Sequence, residues 1–162
     1  ELNLRQAINL KSQKIVIIGI GNGLFGDDAA GVLIIRRLSK SISDSKHIHL
    51  IEALIAPENF TGKIREYSPD WVWIFDAAEM GLNPGEIRIL DMDQIEGISA
   101  LTHQMPPTLF VKYVQMITGA KILFFGIQPK SIGPYQDVST EIKFICEDIG
   151  NCLSNWILMN ID

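Results

Sequence analysis

The sequence predicts an α/β fold, a three-layer sandwich with five strands in one sheet and helices on both of its faces. Two patterns carry that expectation. Apolar, β-branched or aromatic runs at Val16 to Ile20, Trp71 to Ala77 and Ala120 to Ile127 suit strands covered on both sides. Stretches with helical spacing of apolar residues alternate with them, as they do when crossover helices join parallel strands.

Taken in order, the strand Val16 to Ile20 comes first and is expected in the interior of the sheet. Gly21, Gly23 and Gly26 then turn the chain, and Asp27 or Asp28 falls where a helix N-cap would lie. We assign capping to Asp27, which leaves Asp28 for another task. The helix that follows turns Val32, Ile35 and Leu38 inward and carries Arg36 and Arg37 near its far end, where cations suit the dipole. After a polar connection, His47 to Ala53 reads as the second strand, with His47 and His49 on one face as solvated side chains. Ala56 to Asn59 starts a short helical segment, with proline at an early position it tolerates.

The third strand, Trp71 to Ala77, is apolar until Asp76, a carboxylate at the carboxyl edge of the sheet where open α/β folds place ligands. Gly81 to Gly85 is a turn. Glu86 to Leu90 breaks its apolar pattern at Arg88, as an edge strand does, and such a strand can run antiparallel. His103 sits in a loop before a helix marked by Leu109, Phe110, Tyr113, Val114 and Ile117. Ala120 to Ile127 is the fifth strand. The last helix, Ser139 to Met159, shows one inward stripe of Ile142, Ile145, Ile149, Leu153 and Trp156.

Length and composition narrow the function. A chain of 162 residues, 47% hydrophobic and 20% charged, fits a single domain over 1–162 with its core in about 14–159. The net charge of −5 and the lack of a lysine and arginine cluster argue against nucleic acid as partner. Cys146 and Cys152 fall on different faces of the last helix and form no CxxC pair, so both read as packing residues. No segment is long and apolar enough to span a bilayer, and the opening stretch ELNLRQAINLKSQK lacks the apolar core of a secretion signal. A cytoplasmic protein without membrane insertion is the expectation.

Gly21, Gly23 and Gly26 also match the GxGxxG dinucleotide fingerprint, in the strand–turn–helix context that motif demands. That site works because bare amides at a helix N-terminus receive a pyrophosphate. Asp27 and Asp28 stand there instead. They would repel a diphosphate and hold a cation, so cation binding ranks above a nucleotide-binding module.

The loops after the first and third strands meet at one edge of the sheet, which brings Asp28 and Asp76 together, and with His103 they make an O, O, N set. Such a set fits a borderline divalent transition metal and leaves coordination positions open, unlike a closed structural zinc site. The chain has no GxSxG elbow, no HExxH helix and no cysteine beside a plausible base.

The segments GIGNGLFGDDAAG (Gly19 to Gly31), APEN (Ala56 to Asn59), FDAAEMGLNPGEIRILD (Phe75 to Asp91), THQMPP (Thr102 to Pro107) and FGIQPKSIG (Phe125 to Gly133) span nearly the whole domain. In order and spacing the chain resembles the hydrogenase maturation proteases, in the hydrogenase 3 or formate-hydrogenlyase-type branch. That resemblance implies a five-stranded, twisted, mostly parallel sheet with one antiparallel strand. It implies an endopeptidase, classed with aspartic-type proteases, that removes a C-terminal extension from the large-subunit precursor of a nickel-iron hydrogenase once nickel is in place. The family's nickel-recognising acids and histidine map to Asp28, Asp76 and His103, with nickel supplied by the precursor. The alternative is a self-contained metallopeptidase holding its own zinc or cobalt through the same residues. The chain departs from its relatives after the second strand, where Glu52-Ala53-Leu54 replaces an Asp-Gly-Gly turn. The acid is kept, and the glycines' backbone freedom is not.

Overall fold

The computed structural model describes residues 12–96 and 105–161. Five strands form one sheet, β1 (Ile15–Ile20), β2 (Ile48–Leu54), β3 (Trp71–Ala77), β4 (Ile87–Leu90) and β5 (Lys121–Ile127), in the order β2-β1-β3-β5-β4. All pairings are parallel except that of β4 with β5. The helices are α1 (Ala30–Leu38), α2 (Thr61–Tyr67), the short α3 (Met92–Glu96), α4 (Pro107–Thr118) and α5 (Thr140–Ile161).

Every residue of β1 is buried, as its unbroken apolar run requires of an interior strand. Period-two alternation divides its side chains between two cores. Ile15 and Ile17 join Trp71, Trp73 and Phe75 against α1 and α5, where Ile34, Leu38, Ile142, Cys146 and Ile157 close the layer. Val16, Ile18 and Ile20 join Val72 and Ile74 on the other face, against Ile64 of α2, Ile95 of α3 and Phe110 and Val114 of α4. This is the expected three-layer sandwich. The inward stripe of α5 is also as expected, since Ile145, Ile149, Leu153 and Trp156 lie against the first core. The edge strand β4 does run antiparallel, and its exposed Arg88 and Ile89 mark the uncovered side. The short helix α3 is the one regular element that the apolar periodicity did not mark.

β1 has β2 on one side and β3 on the other, so the chain reverses its direction of winding between β1 and β3. At such a switch point the loops leaving the two strands diverge and open a crevice at their carboxyl ends. Asp28 follows β1 and Asp76 is the penultimate residue of β3. Two close approaches seal the floor of that crevice. A Cβ on Gly31 would lie 2.0 Å from the Phe75 carbonyl oxygen, and one on Gly21, at φ +145, would lie 1.8 Å from that of Asp28. Only glycine lets α1 and its leading turn come down onto the strand ends.

Candidate active site at the sheet switch point

The turn after β1 is a 3-10 segment, Gly26–Ala29, that runs directly into α1. Both of its acids are buried, with Asp27 at 0% and Asp28 at 4% exposure. Asp27 does not cap the helix as expected. No side-chain cap bond is made at the start of the turn. Instead its carboxylate reaches across the fold: Oδ2 accepts from Lys130 N at 2.8 Å and Ser131 N at 3.0 Å, and Oδ1 accepts from Ser139 N at 2.7 Å. The Ser139 hydroxyl donates a fourth bond to Oδ2 at 2.9 Å. Asp28 N bonds to the Phe25 carbonyl within the turn and Asp27 N to the Ser131 carbonyl, so the Asp27 carboxylate is left to take up partly buried N–H groups of the loop between β5 and α5.

Asp28 belongs to the crevice. Its Oδ2 accepts from Asn22 N at 2.8 Å, inside the glycine loop. Asn22 in turn accepts from Leu24 N through Oδ1 at 3.0 Å, which fixes the loop around the carboxylate. The turn that carries it rests on β3. Asp76, 2% exposed, sits one residue before the end of β3 and faces Gly126 in the β5 register. The structure therefore brings two buried carboxylates to one sheet edge, on the elements that flank the switch point. His103, the third residue expected there, lies outside the described residues, as do residues 1–11. Among the described residues no group of three or more histidines, cysteines, aspartates or glutamates stands together as a metal site.

Gln128 was not among the candidate residues. It is buried directly after β5, and its Oε1 accepts from Met80 N at 2.7 Å and Leu82 N at 3.2 Å. Its Nε2 donates to Glu79 Oε1 at 2.8 Å and to the Pro129 carbonyl at 3.1 Å. One side chain thus holds the chain that leaves Asp76. The signal was the same as for Asp76 itself, a polar residue at the exit of an apolar strand.

The remaining titratable candidates are occupied elsewhere. Glu52 accepts from Arg36 of α1, at 3.0 Å from Nε and 2.6 Å from Nη2. His49 Nδ1 lies 2.6 Å from Asp44 Oδ2 and its ring stacks on Tyr67, and His47 Nδ1 meets the Gln13 carbonyl at 3.3 Å. Arg37 binds Glu147 and Asn151 of α5. The Cys146 thiol, in contact with the Ala30 carbonyl, is pushed up to about 12 by burial and then by the Asp27 charge, so it is no nucleophile at neutral pH. Cys152 is exposed, so of the two cysteines expected to be packing residues only Cys146 is one. Gly21 serves the internal approach described above, which accounts for part of the GxGxxG match without a pyrophosphate.

Comparison with known proteins adds an independent line. Residues 32–155 match the family model described as HycI, hydrogenase maturation protease. The hydrogenase 3 maturation protease of Escherichia coli K12 is 37% identical over 142 residues, which cover 87% of this chain and 89% of that protein. The crystal structure of a [NiFe] hydrogenase maturation protease HycI from Thermococcus kodakarensis superposes with a TM-score of 0.81 at 34% identity, covering 91% of this chain and 94% of the other. The solution structure of the endopeptidase HycI from Escherichia coli gives a TM-score of 0.77 at 35% identity, with 88% and 90% covered.

Proposed function

The chain belongs to the hydrogenase maturation protease family, and from that premise we propose that it cleaves the C-terminal extension from the nickel-loaded large-subunit precursor of a nickel-iron hydrogenase. The family makes it an endopeptidase of hydrogenase processing. The finer reading rests on one observation above all, the two buried carboxylates Asp28 and Asp76 at the switch point. In that reading the nickel is part of the substrate. Asp28, Asp76 and His103 add an O, O, N set to the shell begun by the precursor's own cysteines, and docking there fixes the scissile peptide over the sheet edge.

Peptide hydrolysis then needs a proton acceptor for the attacking water, and a carboxylate at this edge supplies one, which makes the chemistry of the aspartic type. Processing takes place in the cytoplasm, before the hydrogenase is complete.

The test is cleavage of the purified precursor with and without nickel, in the presence and absence of chelator. Processing confined to the nickel-loaded precursor is the expected result. Equal processing of the metal-free precursor would overturn the recognition role. Bound zinc or cobalt in the purified protease, with cleavage of unrelated peptides, would move the site to a self-contained metallopeptidase.

A further inference from the structure

Left-handed backbone is unusual for any residue with a side chain and an outlier for a bulky one. Among the described residues three non-glycine positions adopt it, Leu54 (φ 53), Ser68 (φ 52) and Tyr135 (φ 56). Ser68 has an ordinary reason, since it ends α2 as a left-handed cap with its N–H on the carbonyls of Ile64 and Arg65. Leu54 and Tyr135 close no helix. Both carry large apolar side chains into solvent, at 46% and 90% exposure.

Their positions are linked. The Leu54 carbonyl accepts from Gly21 N at 2.9 Å, and the neighbouring Asn22 N donates to the Asp28 carboxylate. Tyr135 N donates to the Leu24 carbonyl at 2.6 Å, further along the same loop. Leu24 itself is 61% exposed. The register of β1 against β2 also slips between Gly19 and Ile20, where Ala53 is passed over and Leu54 pairs with Ile20. A bulge of this kind re-aims the side chain at the strand end. Two unrelated segments, the end of β2 and the loop before α5, thus each use a disfavoured backbone to hold an exposed apolar side chain beside the loop that encloses Asp28. Backbone strain of this sort is held by the surrounding structure and clusters at active sites and ligand clamps.

We infer that Leu54 and Tyr135, with Leu24 between them, form an apolar rim that receives apolar side chains of the precursor polypeptide beside the scissile bond. The inference rests on the processing reading given above. The occupant is a polypeptide in the course of cleavage because the rim is continuous, through Gly21, Asn22 and Leu24, with the carboxylate site that acts on it. The rim residues set affinity and choice of peptide, and they take no part in proton transfer.

The experiment is steady-state cleavage of the nickel-loaded precursor by wild type, Leu54→Gly, Tyr135→Gly and Leu54→Met, with the thermal midpoint of each. Glycine accepts the left-handed backbone, so both glycine variants keep a midpoint equal to or above that of wild type. Each raises KM about tenfold, the loss expected when one partly buried apolar contact disappears, with kcat within about twofold. Leu54→Met retains the apolar contact and the wild-type KM. Unchanged KM in both glycine variants, alongside an active wild type, would overturn the rim and leave the processing reading standing. A wild type that leaves the loaded precursor intact would overturn both.

Discussion

Asp27 and Asp28 are neighbours in one short turn, of the same residue type and both buried, yet they have been put to opposite uses. The partners of Asp27 lie more than 100 positions away, at Lys130, Ser131 and Ser139. Asp28 accepts from Asn22, within its own loop. The first is a structural acceptor that joins the beginning of the fold to its end. The second is held in place by its own loop at the mouth of the crevice. Two buried acids side by side in one turn thus differ in the partners they take, Asp27 reaching across the fold and Asp28 accepting within the glycine loop.

The largest effect that would separate them is on activity. Asp28→Asn keeps the shape and an oxygen able to accept from Asn22, so the fold should hold to within about 1–2 kcal/mol. Processing of the loaded precursor, followed by the mobility shift of the large subunit, should fall by about 10²–10³-fold. An active Asp28→Asn protein would remove Asp28 from the site. Asp27→Ala should do the reverse. It removes the acceptor of three partly buried N–H groups, a loss of about 2–3 kcal/mol in denaturant unfolding, and any fall in processing should follow the folded fraction. A folded but inactive Asp27→Ala protein would break the division between the two acids. Ser139→Ala sharpens it at the smallest scale. Only the hydroxyl bond to Asp27 is lost, the backbone N–H of residue 139 still donates, and stability should drop by about 0.5–1.5 kcal/mol with processing unchanged.

Much of the architecture was legible because burial on both faces leaves a plain mark on a strand. The continuous apolar runs of β1, β3 and β5 and the interrupted one of β4 were enough to separate interior from edge. The placement of Asp76 and Asp28 at the carboxyl edge of the sheet was legible for a related reason, since each follows or closes such an apolar run. What failed was the assignment of Asp27. A cap is a local device, and a sequence shows the local alternative first, whereas three donors that arrive from residues 130–139 leave no local trace. Gln128 carried a local signal, a polar residue at the exit of an apolar strand, but its role was not legible because its partners at Met80 and Leu82 become neighbours only when β3 and β5 pair. The α3 helix, Met92–Glu96, is too short for periodicity to register. Leu54 did leave a trace, since it stands where relatives carry the last glycine of an Asp-Gly-Gly turn, and contrary to expectation it keeps a glycine-like left-handed backbone at φ 53.

The long reach of Asp27 also bears on how the protein comes into being. On the ribosome, the turn that carries both acids emerges more than 100 residues before the donors that secure it, at Lys130, Ser131 and Ser139. Until β5 and the start of α5 have been translated and docked, Asp27 lacks the donors from that loop. The turn beneath the crevice is therefore clasped only after β5 has taken its place in the sheet.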